Sequence, residues 1–360
     1  MRSQMHSDRA WLWLALTADT AIAAADAALT NNVIFIGLLI VGPLLASARL
    51  KSAATALVGG YAVLLGLALG VPDHIFGSHD HLLRCLIVAV GGAFATLTAY
   101  IRTNREDALT HMTHVAEVAQ QALLRPIPPD IGGLAFAHRY RSAARKAQIG
   151  GDLYDVALTP HGLRLIIGDV KGKGLPAIQQ AAAVLRCFRE TVFTTAALTH
   201  LAKELDARIA PELAAEDFVT VLLAEFIPGH VRLVNCGHPP PLRIGSHTQL
   251  LDAPQPSPPL GLDPEPVLQY AHLTAGERLL FFTDGLIEAK DPYGAMFPLD
   301  ERVSAILRTP FLDEALQGLL DLVLTHTHGH FHDDLAMVLC QPSPATSHDQ
   351  PSDRHPERAP

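Results

Sequence analysis

Long uncharged stretches dominate the first hundred residues. Residues 27–48, 52–72 and 85–101 contain no charged side chain, and each approaches the ~20 apolar residues needed to cross a bilayer. A further stretch, 11–29, is apolar except for Asp19 and Asp26. These two carboxylates share one helix face, where a charge is tolerated only toward the interior of a bundle. The pattern predicts about four membrane helices within residues 1–104. An interfacial helix is the other reading of 11–29.

From residue 105 the pattern changes. Leu109, Met112, Ala116, Ala119 and Leu123 follow the 3-4 spacing of a coiled-coil seam. A helix packed on the next domain would show the same spacing, and both readings stand. The linker is placed at 105–129, and Pro126, Pro128 and Pro129 end its helix. After Leu134, short strand patterns take over. Residues 150–170 read as a hairpin turning at Thr159–Gly162, which sets Asp152 opposite Asp169. A second hairpin joins 217–226 to 230–238, and further strands lie within 277–289 and 331–340. Helices are expected over 174–194, 198–214 and 298–324. Hairpins with helices in separate blocks indicate an α+β domain over 130–342.

Charge sharpens this division. Mean hydropathy is +0.22 overall, yet residues 106–360 hold 20 Lys/Arg against 31 Asp/Glu. So acidic a part argues against nucleic acid as a partner. Arg2, Arg9, Arg49, Lys51, Arg102 and Arg105 flank the apolar stretches, which places both ends of the membrane region in the cytoplasm. The loop at 73–83 is acidic and bears histidines. No inverted repeat supports a transporter, and no small-residue cleavage site supports a signal peptide. Cys85, Cys187, Cys236 and Cys340 form no CxxC pair, so neither a zinc ribbon nor a disulfide framework is implied.

The candidate chemistry lies at strand ends. Asp152 and Asp169 would face each other across the hairpin, where like charges destabilise a sheet and a divalent cation would remove the conflict. Asp284 falls in a "TDG" turn, and Asp333 and Asp334 precede the last strand. "GDVKGKG" (168–174) does not meet the Walker spacing, because only three residues separate Gly168 from Gly172-Lys173 and Gly174 follows in place of a hydroxyl residue. Oxygen-only donors suit Mg2+ or Mn2+. Cys236 lacks the arginine-bearing loop of a thiol phosphate site. His326, His328, His330 and His332 alternate ahead of Asp333. That tract reads as a solvated loop or as a site for zinc or nickel.

Seven segments occur in a telling order: "IGGDLYD", "GDVKGKGLPA", "DFVTVLL", "NCGHPPPL", "PLGL", "FFTDGLIEAKD" and "DDLAMVL". In sequence and spacing they resemble the SpoIIE-type branch of the metal-dependent PPM phosphatases, relatives of protein phosphatase 2C. The resemblance covers about residues 130–341, and the front of the chain is similar to membrane-anchored actinobacterial members. It implies an α-β-β-α sandwich with two Mn2+ or Mg2+ ions at one edge. By position, Asp169 resembles the bridging carboxylate, Val170 would offer its backbone carbonyl to the first ion, and Asp152 would complete that ion's shell through water. Asp284 and Asp333 would hold the second ion. The implied nucleophile is water activated by the metals, with no protein side chain in that role. Lys173 stands where the family often has His, and the phosphate-binding Arg of eukaryotic relatives has no counterpart. The implied protein is a multi-pass membrane serine/threonine phosphatase with a cytoplasmic catalytic domain. Its implied substrate is a phosphoprotein resembling an anti-anti-sigma factor. The coiled-coil reading of the linker, drawn from its 3-4 spacing, would pair two copies through residues 105–124. A phosphatase-like domain that only binds a partner is the alternative. The tail at 343–360 reads as disordered.

Overall fold

The computed structural model describes residues 2–28, 35–71, 76–142, 150–331 and 333–343. The chain divides into two compact units, Met1–His111 and Met112–Pro360. The tail beyond Ser343, residues 73–75 of the acidic loop and His332 of the histidine tract lie outside the described residues.

The first unit is helical. It comprises α1 (Arg2–Ala28), a 3-10 turn (Ile36–Ile40) leading into α2 (Val41–Arg49), α3 (Ser52–Leu69) and the first part of α4 (His79–Leu123). Two helical segments, Ser52–Leu69 and His79–Met112, are long and apolar enough to cross a membrane. The other two expected spans differ from expectation. Residues 36–49 break from a 3-10 turn into a nine-residue helix, too short for a bilayer, and 29–34 lie outside the described residues. Residues 11–28 belong to the longer helix α1, whose Asp and Arg residues dilute its apolar character. Asp19 and Asp26 are buried within the unit. Asp19 Oδ1 accepts from Gly42 N at 3.0 Å, and the Asp26 carboxylate accepts from Phe35 N. Each carboxylate thus takes a backbone N–H near the start of the broken helix, where intrahelical partners are lacking.

The second unit begins within α4, which runs through the residues read as separate span and linker without a break. Its strands are β1 (Asp130–Ile131), β2 (Leu134–Arg141), β3 (Leu153–Thr159), β4 (Gly162–Val170), β5 (Val219–Ile227), β6 (His230–Cys236), β7 (Leu242–Ile244), β8 (Thr248–Leu250), β9 (Leu268–His272), β10 (Arg278–Phe282) and β11 (Leu335–Pro342). Its other helices are α5 (Leu175–Thr191), α6 (Leu198–Ile209), α7 (Glu301–Leu307) and α8 (Leu312–His326). One sheet has the order β1-β2-β11-β10-β7-β8 and the other β3-β4-β5-β6-β9. Among the described residues, the named strands all pair antiparallel.

The layers follow from the apolar faces. Phe136, Phe226 and Phe281 meet edge to face between the sheets, with ring centroids 6.3 Å apart. Ala181, Val184, Leu185 and Phe188 of α5 and Leu201 and Leu205 of α6 join that core from the five-stranded side. Leu316, Leu319 and Val323 of α8 cover the outer face of the six-stranded sheet with Leu280, Phe282 and Met337. The result is the α-β-β-α layering expected from the resemblance.

Two elements depart from the sequence reading. The helix expected over 298–324 is two helices, because Pro310 cannot donate to a continuing ladder. The strand expected within 277–289 stops at Phe282, where the "TDG" turn begins. The seam proposed along α4 is also only partly available. Of the seam positions Leu109 and Met112 are exposed, as are the neighbouring Val115 and Val118, whereas Ala119 packs on Ile178 and Leu123 on the inter-sheet core. The side chain of Ala116 lies outside the described residues.

Candidate metal centre

The β3–β4 ladder pairs Leu153 with Gly168 and Thr159 with Gly162, the register expected from the turn. Asp152 therefore stands beside Asp169 just beyond the ladder, and their side chains are hydrogen-bonded. In the other sheet β10 pairs with β11 as far as Phe282↔Met337. The end of β10 and the start of β11 thus lie side by side and bring Asp284 close to Asp333 and Asp334. Glycines permit the close approach of backbone here. A Cβ on Gly285 would sit 1.8 Å from Asp334 O, and one on Gly151 would sit 2.9 Å from Val170 O. Neither position accommodates a side chain.

Electrostatics mark the cluster. Asp152 is 1% exposed. Burial, with Asp169 and Asp334 beside it, pushes its carboxyl well above the usual range, although a hydrogen bond from Thr283 opposes this. Burial, then Asp284 and Asp333, raise Asp169 to about 7, while the hydrogen bond from Asp152 lowers it. Asp284 rises to about 6 through burial and then Asp333 and Glu288. These carboxylates are held together against their mutual repulsion, as in a cation site before the cation. Every donor is oxygen, which fits Mg2+ or Mn2+. The arrangement is open: among the described residues, no three His, Cys, Asp or Glu side chains close on a single point. Asp333 Oδ1 lies 3.1 Å from Lys173 Nζ, so an ion taking that oxygen would compete with the lysine. Val170 is buried at the end of β4, with its carbonyl on the same edge.

Thr283, Tyr140 and Ser142 were not singled out from the sequence, and Asp334 was noted there only beside Asp333. Thr283 Oγ1 donates to Asp152 Oδ2 at 2.8 Å and accepts from Ala336 N at 2.9 Å, tying the two sheets at the carboxylates. Asp334 is buried. Its carboxylate accepts from Gly150 N at 2.8 Å, from Ser142 Oγ at 3.3 Å and from the Tyr140 hydroxyl. Burial and the neighbouring Asp334 hold the Tyr140 phenol protonated, so it serves as the donor. Asp155 of the "GGDLYD" segment instead pairs with Arg189 of α5 at 2.5 Å. Among the histidine tract, His326 Nε2 donates to Ala295 O at 3.0 Å and stacks edge-on against Phe297. His328 Nδ1 lies 3.3 Å from His326 O. Burial pushes the Cys236 thiol up to about 12, which makes it inert as a nucleophile.

Residues 159–342 match the family model described as Stage II sporulation protein E (SpoIIE). The chain is 22% identical over 287 residues to phosphoserine phosphatase RsbU of Bacillus subtilis (strain 168), covering 77% of this chain and 83% of that protein. Among solved structures, the SiaA-PP2C domain of Pseudomonas aeruginosa superposes with a TM-score of 0.54 at 17% identity, covering 68% of this chain and 99% of that one. The RsbU and RsbW domains of Rv1364c from Mycobacterium tuberculosis superpose with a TM-score of 0.51 at 24% identity, covering 59% of this chain and 62% of that one. The fold is that of a PP2C domain.

Proposed function

The chain belongs to the SpoIIE family, and from that premise we propose that it is a metal-dependent serine/threonine phosphoprotein phosphatase anchored in a membrane. The observation that carries the proposal is the convergence of Asp152, Asp169, Asp284 and Asp333 from two sheets onto one edge, with Asp152, Asp169 and Asp284 raised well above ordinary carboxylates. In this reading Asp169 would be shared between two Mn2+ or Mg2+ ions. The Val170 carbonyl and Asp152 (through water) would serve the first ion, and Asp284 and Asp333 would serve the second. Bound there, two such ions supply Lewis acidity toward a phosphoryl oxygen and lower the pKa of water toward neutrality.

The chain's own residues do the rest. Thr283 and the Asp152–Asp169 contact fix the first pair of carboxylates. Tyr140 and Gly150 hold Asp334, which in turn keeps the adjoining Asp333 at the mouth. Lys173, released from Asp333, places a positive charge where a phosphate must enter.

The two apolar helices support a multi-pass anchor, with the catalytic unit on the cytoplasmic side. The resemblance supports a phosphorylated anti-anti-sigma-factor-like protein as substrate. The exposed Met112, Val115 and Val118 support pairing of two copies along residues 105–118, shorter than the 105–124 seam read from the sequence. The test is phosphate release from the organism's phosphorylated anti-anti-sigma proteins by the full chain in detergent. Release should require Mn2+ or Mg2+, stop with a chelator and resist thiol reagents. Release that persists in chelator, or in Asp169→Asn, would refute the assignment.

A further inference from the structure

His238 belongs to the "NCGH" segment after β6 and does not point into the acidic edge, yet it is 5% exposed and fully hydrogen-bonded. Its main chain is pinned by Asn235, whose Oδ1 accepts from His238 N and whose Nδ2 donates to His238 O, both at 2.8 Å. Gly237, at φ +73°, makes the bend that turns the imidazole inward. Nε2 lies 3.1 Å from Phe282 O and Nδ1 lies 3.0 Å from Thr220 Oγ1. A carbonyl only accepts, so Nε2 carries the proton, and Nδ1 is left to accept from the Thr220 hydroxyl. Burial lowers the ring's pKa to about 3 and so favours its neutral form, while the two partners set the tautomer. The two partners sit in different sheets. Thr220 is the ladder partner of Asp169, and its hydroxyl also approaches Asp169 O at 3.3 Å. Phe282 ends β10, two residues before Asp284. The β7 ladder on β10 ends at Leu280↔Leu242, and the imidazole takes the Phe282 carbonyl beyond it.

We propose that His238 is a positioning residue for the paired-metal site: a neutral imidazole strap between β5 and β10 that fixes the spacing of Asp169 and Asp284. This rests on the metal assignment above. An ion shared by carboxylates from two sheets is sensitive to the gap between them, and groups just outside a metal's ligands typically tune affinity by ~10–100-fold. The strap acts through backbone, so its loss weakens metal binding and leaves the chemistry of the loaded enzyme nearly intact.

The experiment measures Mn2+ binding directly, by the loss of the free-ion EPR signal, on the full chain in detergent. Turnover of p-nitrophenyl phosphate against Mn2+ is measured in parallel. His238→Ala should raise the Mn2+ dissociation constant ~10–100-fold while turnover at saturating Mn2+ stays within about threefold of wild type. Thr220→Val, which keeps the shape and removes one arm, should raise it by a smaller factor. The double variant should be no worse than His238→Ala, because both changes break one strap. His238→Gln can still donate to Phe282 O and should recover part of the affinity. If His238→Ala does not fold, Thr220→Val and His238→Gln decide the matter by the same criterion. Unchanged Mn2+ affinity in the folded variants, even with a lowered melting temperature, overturns the strap and leaves the metal site standing. A wild-type protein that binds no Mn2+ overturns the metal site, and the strap with it.

Discussion

Asp169→Asn should stabilise the metal-free protein at pH 8 while abolishing its turnover. Burial and the neighbouring Asp284 and Asp333 raise the Asp169 carboxyl from 3.8 to about 7. A raised folded-state value means that the native protein keeps a proton the unfolded chain has lost. This side chain's contribution to stability is therefore intact below about pH 4, falls as the pH rises, and is fully lost above about 7. At about 1.4 kcal/mol per pH unit, the interval between the two values corresponds to about 4 kcal/mol. Asp169 is not wholly sealed from water and shares a proton with Asp152, so about 2–4 kcal/mol is the expected penalty.

Asparagine keeps the shape and carries no charge. At pH 4 the variant and wild type should melt together. At pH 8 in chelator the variant should melt roughly 4–16 °C higher, at about 2–4 °C per kcal/mol for a unit of this size. Scanning calorimetry of the full chain in detergent reads this directly. Excess Mn2+ should invert the order, because binding to the native state alone stabilises it and the amide is a poor ligand. A variant no more stable than wild type at pH 8 in chelator would refute the view that these carboxylates are held against their own repulsion.

Replacing His326, His328, His330 and His332 together by Ala should leave Mn2+-dependent turnover within a few-fold; a loss rescued only by zinc would make the tract a metal site. Arg164→Met should cost roughly 3–5 kcal/mol of stability, measured by urea unfolding. It leaves the buried Glu225 short of a 2.6 Å partner and frees the carbonyls of Val192, Thr195 and Ala196. Turnover at low temperature should be unaffected, because this clasp sits away from the acidic edge. Cysteine at Met112 should cross-link two copies in membranes; if no cross-link forms, the exposed face of α4 is not a dimer contact.

What the sequence disclosed was local. The hairpin of β3 and β4 turns within four residues, so its register, and with it the meeting of Asp152 and Asp169, follows from turn chemistry alone. Asp284 and Asp333 were visible as strand-end carboxylates, but their approach depends on the pairing of β10 with β11, some fifty residues apart in sequence, which only the family resemblance anticipated. Thr283, Tyr140 and His238 were missed because their partners lie in another strand or the opposite sheet, and no local spacing encodes that. The break at Pro310 was legible in principle, because a proline cannot donate to a continuing helical ladder, but the apolar residues on both sides of it were read as one helix. The apolar stretch before Arg49 was read as a full span because composition does not register a switch from 3-10 to α geometry.

The site's place at the seam between two sheets explains why it is acidic without being fragile. Asp152 and Asp169 come from one sheet and Asp284 and Asp333 from the other, so their repulsion acts to part the layers at one edge. Against it stand the inter-sheet core around Phe136, Phe226 and Phe281 and a second core beneath α8. Burial of a single large apolar side chain in either contributes about 1.5–3 kcal/mol, comparable to the penalty at one carboxylate. At the edge itself Thr283, Tyr140 and His238 cross or brace the seam with hydrogen bonds. The apolar interior holds the layers together whether or not cations are bound, while the polar braces set how far apart the carboxylates stand. The favourable part of the stability is therefore carried mainly by the apolar interior, and the spacing of the carboxylates by the braces. Substitutions in the braces should move metal affinity even where they also lower the melting temperature of the metal-free fold, whereas substitutions in the core should lower that melting temperature and leave the metal affinity of the folded protein nearly unchanged.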